Sequence, residues 1–263
     1  MWDPGLYRQF ADERSRPFFE LVGRIGAADP GLVADLGCGS GELTASLCER
    51  WPSAEVLGVD NSPEMISAAQ DVLAGLGTRG AGGPPRLRFE LCDATAWRPG
   101  RPVDVIVSNA LLQWIPDHER LLVRWVGALA DGGWLAVQMP GNFDQPTHAL
   151  LRELAGSPRW RRLLADVALN RQAGDPAGYL DLLAREGCTV DAWETTYLHV
   201  LTGEDPVLGW IKGTGLRPIM AALDAADQAE FLAEYGALLA EAYPRAEYGT
   251  VFGFRRVFFV ARR

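Results

Sequence analysis

Lysine is nearly missing from this chain: of its 25 basic residues only Lys212 is a lysine, set against 34 acids and a formal net charge of −9. An acidic chain without a basic stretch is a poor electrostatic match to a phosphate backbone or an anionic membrane surface, so neither nucleic acid nor membrane is an expected partner. The arginines can still furnish a local anion site, because guanidinium forks pair with carboxylates bidentately. Cysteine is scarce as well. Cys38, Cys48, Cys92 and Cys188 include no C-x-x-C pair and point to free thiols in a reducing compartment. The three histidines, His118, His148 and His199, lie far apart and show no metal-ligand spacing, so no metal is expected. No apolar run approaches the ~18 residues of a membrane span, and the opening MWDPGLYRQF does not read as a signal peptide. A cytoplasmic protein is expected. Low-complexity tracts and internal repeats are absent, and 263 residues suffice to bury a core without disulfide or metal support.

What is present alternates strand and helix over the first half. Phe18, Leu21, Val22 and Ile25 recur at helical spacing and predict a helix over 14–26. Short apolar runs predict strands at 32–36, 55–59, 87–91, 103–107 and 134–139. Between them, helices are expected at 41–50, from 62 to about 73, and at 117–130. Ser62-Pro63-Glu64 opens the second of these helices with an N-cap, a proline at the first helical position and an early acid. Residues 75–85 (GLGTRGAGGPP) are expected to form a surface loop. Such alternation predicts an α/β fold, a parallel sheet with helices on both faces. After Pro140 the rhythm breaks: 144–186 and 204–243 look helical, 189–201 and 256–261 look like strands. The expected organisation is a core over 1–143, a mainly helical cap inserted over 144–250, and a final strand over 251–263 returning to the core sheet.

Chemistry concentrates at the strand ends. Asp35-Leu36-Gly37-Cys38-Gly39-Ser40-Gly41 follows the first strand, and alternating glycines let a backbone turn sharply and approach a ligand closely. Asp60 ends the second strand, where a carboxylate can take both ribose hydroxyls; Asp93 ends the third and Asn109 the fourth. Ligands bind beyond the carboxyl ends of such strands, so four polar residues there line one expected crevice. A nicotinamide dinucleotide fold would share the glycines and the acid. Its fingerprint is G-x-G-x-x-G, whereas this loop is G-x-G-x-G with Asp35 two residues ahead of the first glycine.

That loop resembles the first motif, D/E-x-G-x-G-x-G, of the class I methyltransferases that use S-adenosylmethionine (SAM) and are built on a Rossmann-like sheet. The resemblance implies that Asp35, Gly37 and Gly39 flank the methionine part of SAM, Asp60 the ribose, and Asp93 with Ala94 the adenine, with Asn61, Met65 and Asn109 alongside. Tyr7, Arg14 and Arg16 precede the sheet and are expected to close over the cofactor. The chain has Asn109-Ala110-Leu111-Leu112 in place of the D/N-P-P-Y/F of amino-methylating relatives, which disfavours nucleobase and glutamine nitrogens as acceptors.

Further segments make the likeness more specific. WDPGLYRQF with ERSRP, DLGCGSGELT, NALLQWIPDH, AVQMPGN with PTH, TTYLH, TGLRP and FRRVFFVA together resemble the trans-aconitate methyltransferase family, nearly end to end. The Gly/Pro stretch at 75–85 is longer than that pattern. The resemblance implies methyl transfer to a carboxylate of trans-aconitate or a similar small acid. A carboxylic acid with a pKa of about 4 is already ionised at neutral pH, so no general base is needed and no acid–base residue is expected. Gln113 and Trp114, just past Asn109, are expected to position the reacting groups. Arg217 and Arg255 are the candidate cations for the carboxylates that do not react, and His148, Tyr179, Tyr197 and His199 are candidate hydrogen-bond partners. The alternatives are a methyltransferase for another small acid or natural product, a SAM-binding regulator without turnover, and a nicotinamide oxidoreductase.

Overall fold

The computed structural model describes residues 11–75, 86–169, 173–213 and 215–263. Tyr7, the side chain of Arg14 and the expected loop at 76–85 fall outside them. The first half runs α1 (Ala11–Gly23), β1 (Leu32–Leu36), α2 (Glu42–Arg50), β2 (Glu55–Asp60), α3 (Pro63–Gly75), β3 (Leu87–Leu91), β4 (Val103–Asn109), α4 (His118–Ala128) and β5 (Leu129–Pro140). It continues through α5 (Pro146–Ala155), α6 (Pro176–Arg185), β6 (Thr189–Leu201), α7 (Pro206–Lys212), α8 (Arg217–Ala222), α9 (Ala225–Ala242), β7 (Arg245–Ala246) and β8 (Gly249–Arg262).

The sheet order is β3-β2-β1-β4-β5-β8-β6, with β7 paired to β8. β1 pairs in parallel with both β2 and β4, so the winding direction reverses between β1 and β4. That reversal is the topological switch point, beyond whose carboxyl ends such sheets bind ligands. All five residues of β1 are buried, as a strand covered on both faces requires. Backbone bonds join Gly132 to Arg263 at one end of β5 and Gly141 to Arg255 at the other, so β8 runs antiparallel to β5. This is the Rossmann-like α/β architecture.

Two strands are longer than their local sequence suggests. β5 begins at Leu129, because Asp131-Gly132-Gly133 forms an irregularity inside the strand, where the register against β4 shifts between Val103 and Val105. β8 begins at Gly249 instead of 256. Its first half contains Gly249 and Gly253, which weaken a strand locally, and a hairpin partner in β7 supports that half.

Contacts divide the chain into two units. The sheet unit comprises Arg14–Met139, Gly174–Glu194 and Val257–Arg263. Within it α6 is held by Tyr179, whose ring stacks on Phe259 at 4.8 Å and whose hydroxyl lies 2.7 Å from His118 Nε2. Trp193 stacks on Phe258 at 5.0 Å, and the Arg24 guanidinium lies over the Trp193 ring at 4.9 Å while pairing with Asp191. The helical unit includes Pro140–Ala173 and Thr195–Arg256. Its core gathers Leu151, Trp210, Phe231, Tyr235 and Phe252 from α5, α7, α9 and β8 with Trp160 from the turns after α5, and Trp160 meets Phe231 edge-on at 5.2 Å.

Candidate active site

The glycine loop is built from three left-handed residues, whose surroundings are of two kinds. Gly37, Gly39 and Gly41 have φ of 83°, 55° and 84°. A Cβ on Gly37 would stand 2.9 Å from Leu111 Cβ, and one on Gly41 would stand 2.7 Å from the Phe89 ring. A Cβ on Gly39 would meet nothing within 4 Å. The outer glycines are therefore closed by packing, and the middle one faces open space. Gly37 and Cys38 both donate their amides to Val59 O, which ties the loop to β2.

The acids around the loop are held differently. Asp60 accepts from Gly39 N at 3.0 Å and from Ser62 N at 2.9 Å, one bond on each oxygen. A carboxylate offers about four lone-pair sites, so each oxygen keeps capacity for another donor. Asp93 sits at the end of β3, exposed, and accepts from Thr95 N at 2.7 Å. Hydrogen bonds from Thr95, and further from Asn61, hold its carboxyl below the usual range. Ala94 beside it is buried, whereas Met65, half-buried, donates its amide to Ser62 Oγ at the start of α3.

Asp35 is the most perturbed acid. It is 2% exposed, and its Oδ2 accepts from Thr44 Oγ1 at 2.6 Å, while its buried Oδ1 has no hydrogen-bond partner. Burial pushes its pKa up to about 7; the Thr44 bond opposes this and the negative charge of Asp60 adds to it. Between pH 3.8 and about 7 the folded chain retains a proton that the unfolded chain releases. Stability therefore falls as pH rises through that window, at up to about 1.4 kcal/mol per pH unit, and levels off above it. Asp35→Asn, which does not titrate, is expected to gain stability relative to wild type between pH 5 and pH 7. Denaturant unfolding at pH 5, 6, 7 and 8 checks this, and a difference that stays flat with pH contradicts it.

Past β4 the chain turns back under strain. Ala110 has φ of 57°, its amide donates to Gln138 O, and Asn109 Oδ1 accepts from Gln138 Nε2 at 2.5 Å. A short 3-10 turn, Leu112–Trp114, follows. Gln113 folds back to donate to Ala110 O at 2.6 Å, leaving its buried Oε1 without a hydrogen-bond partner. Trp114 is half exposed.

Asp35, Gly37, Gly39, Asp60, Asn61, Asp93 and Asn109 thus all stand at or just beyond the carboxyl ends of β1 to β4. Arg16 is exposed on α1 and pairs with Glu20 at 2.7 Å. Tyr179 is buried in the sheet unit, where its hydroxyl also meets Gly174 N at 3.1 Å and Met139 Sδ at 3.4 Å; burial raises its pKa to about 12. In the helical unit Tyr197, His199 and Trp210 stack in a row, at 6.3 and 4.9 Å. His148, half-buried on α5, meets the edge of Phe143 at 5.1 Å and approaches Thr147 Oγ1 at 3.2 Å. Arg255 donates to Gly141 O at 2.8 Å, and Arg217 is exposed at the start of α8. Three contributors carry no signature in the sequence: Thr44 on Asp35, Gln138 on Asn109, and Leu111 against Gly37.

Surface hollows elsewhere are unrelated to this arrangement. One of about 440 Å³ is lined by residues 97–102, 124–125 and 127–128, and one of about 300 Å³ by residues 26–30 and 131–134 with Asp104 and Arg262. Both lie toward the amino ends of the strands and include no residue of the glycine loop. Among the described residues no group of three or more His, Cys, Asp or Glu could hold a metal ion, and no helix is long and apolar enough to cross a membrane.

A switch-point glycine loop spaced G-x-G-x-G, with acids at or just beyond the ends of β2 and β3, fits the class I methyltransferases. Residues 33–133 match the family described as a methyltransferase domain. Among solved structures, the YcgJ protein of Bacillus subtilis shares the fold with a TM-score of 0.59 at 12% identity, over 94% of this chain and 98% of that one. A mycolic acid cyclopropane synthase complexed with SAH does so with a TM-score of 0.60 at 12% identity, over 96% of this chain and 85% of the other. The chain is 53% identical to the trans-aconitate 2-methyltransferase of Streptomyces avermitilis over 100% of its own length and 97% of the relative's. It is 50% identical to that of Rhodococcus jostii, over 100% and 99%. The chain belongs to the trans-aconitate 2-methyltransferase family.

Proposed function

We propose that this enzyme transfers the methyl group of SAM to a carboxylate of trans-aconitate, giving a monomethyl ester. The observation that carries this reading is identity of about half over the full chain to relatives named for that reaction. The likeness extends through the helical unit as well as the sheet.

The residues of the sheet unit fit SAM. Gly39 leaves open space beside a backbone turn, Asp35 presents an oxygen without a partner, and Asp60 retains lone pairs beside the loop. Asp35, Gly37 and Gly39 would hold the methionine end, Asp60 and Asn61 the ribose, and Asp93, Ala94 and Met65 the adenine, with Asn109 and Arg16 completing the site. When bound, SAM supplies an electrophilic methyl group on a sulfonium.

The chain's own task is then alignment. A carboxylate acceptor carries no proton to remove, so Gln113 and Trp114 act by position, and positioning alone can supply about 7–11 kcal/mol. An arginine on the reacting carboxylate would draw charge from the nucleophile. Arg255 and Arg217 are therefore assigned to the other carboxylates, with His148 and Tyr197 as further polar contacts, while the Tyr179 hydroxyl is committed to His118, Gly174 and Met139 within the sheet unit. The helical unit's stretches Pro140–Ala173 and Thr195–Arg256 are assigned to selection of the acid, and the sheet unit to the cofactor. A cytoplasmic setting suits this function and the four free cysteines.

The test is transfer of label from SAM to trans-aconitate, with cis-aconitate, isocitrate and citrate alongside. Ester formation on trans-aconitate above the other acids is expected. SAM binding without labelling of any acid would refute the substrate assignment.

A further inference from the structure

Asn142 follows two residues after the end of β5 and belongs to the helical unit. It is 1% exposed, and neither its Nδ2 nor its Oδ1 has a hydrogen-bond partner. A buried primary amide with both ends unpaired is costly, and a purely structural asparagine is normally retained because its amide bonds something.

The backbone around it is firmly held. Gly141 N donates to Arg255 O at 2.9 Å, and Arg255 Nη1 donates to Gly141 O at 2.8 Å. On the other side Arg152 Nη1 donates to Phe143 O at 2.8 Å, and Gln145 N donates to Asn142 O at 3.1 Å. Phe143 packs on His148, and Tyr235 Oη donates to Thr147 O at 2.6 Å. The turn is thus fixed by its main chain, and the Asn142 side chain contributes no hydrogen bond to it. Rigid backbone carrying an uncommitted polar group is how a binding residue is preorganised.

We propose that Asn142 is a specificity-determining residue that donates from Nδ2 to the trans-aconitate carboxylate held by Arg255. The inference rests on the substrate reading above. The two ends of the amide differ: Nδ2 favours a carboxylate oxygen, and Oδ1 repels one. An amide fixed between Gly141 and Phe143 therefore distinguishes one orientation of the acid from its reverse.

Three measurements test it on the full chain. Asn142→Ala is expected to raise KM for trans-aconitate by about 10- to 100-fold, the range of a lost hydrogen bond to a charged group, with a smaller change in kcat. Calorimetric titration of trans-aconitate into protein saturated with S-adenosylhomocysteine should weaken by the same factor. The melting temperature of the free variant should equal or exceed that of wild type, since an unsatisfied amide has been removed. Asn142→Asp should show a KM that, relative to wild type, falls as pH drops from 8 toward 5, because a protonated carboxyl regains a donor. A structural role would leave that ratio flat. An active wild type together with an Asn142→Ala variant of unchanged KM and lowered melting temperature overturns this inference alone. A wild type that leaves trans-aconitate unmethylated overturns the parent reading and this one with it.

Discussion

Replacing Gly37 with alanine is expected to destabilise the free protein by about 2–5 kcal/mol, whereas the same change at Gly39 should spare the fold and remove cofactor binding. At Gly37 two costs add. Left-handed backbone costs an alanine about 1–2 kcal/mol. The new methyl would lie 2.9 Å from Leu111 Cβ, the root of that side chain and unable to swing away, and such overpacking costs about 1–3 kcal/mol more. Leu111 has little room to yield, since it follows Ala110 at φ 57°. Gly39 shares only the first cost. Its methyl would occupy the open side of the loop, where we assign SAM. Urea denaturation of both variants, with melting temperature measured with and without saturating SAM, separates them. Wild type and Gly37→Ala should both be stabilised by the ligand, Gly37→Ala from a lower baseline, and Gly39→Ala should not respond. A normal SAM response in Gly39→Ala would place the cofactor elsewhere.

The second large effect is expected at Arg255. Truncating one partner of a hydrogen-bonded charge pair costs about 2–5 kcal/mol, so Arg255→Ala should lower kcat/KM for trans-aconitate on the order of 10²–10³-fold. SAM binding should persist, because the residues assigned to it lie in the sheet unit. The turn at Gly141 should also survive, since its amide is held by the Arg255 main chain, which the substitution leaves in place. Arg255→Lys should recover part of the loss through charge but not the bidentate fork. Arg217→Ala, at an exposed position, should cost less. Steady-state kinetics on the three variants, with SAM affinity measured in parallel, decides the ranking. Equal kcat/KM in Arg255→Ala and wild type would remove Arg255 from the acid's site.

Much of the sheet was legible because its signals are local. β1 and β4 are short runs dominated by Val, Leu, Ile and Ala, and Ser62-Pro63-Glu64 announces α3 by chemistry that depends on no distant residue. The misplaced boundaries share one cause. Asp131-Gly132-Gly133 reads as a turn and Gly249–Gly253 as a weak strand, yet pairing with β4 and β7 draws both stretches into the sheet. The glycine loop was visible as spacing, but spacing does not reveal that Gly37 and Gly41 answer to Leu111 and Phe89 while Gly39 answers to open space. Likewise Thr44 on Asp35 joins residues separated by the whole loop, and Gln138 on Asn109 joins neighbouring strands. Asn142 closes the segment AVQMPGN, where nothing in the spacing singles it out. An unpaired amide is a property of surroundings, and composition carries no record of it.

The position of β8 between β5 and β6 has a bearing on synthesis. As the chain leaves the ribosome, β5 emerges more than a hundred residues before the strand that covers its flank. Until Gly249–Arg262 appears, β5 and β6 each present unpaired backbone groups, the kind of edge that templates association between nascent chains. Threading β8 between two waiting strands is a late, non-local step, and contacts so distant in sequence form slowly. Pairing of this strand is therefore expected to come late in folding, and chaperone dependence during expression would be concentrated in the interval before it arrives.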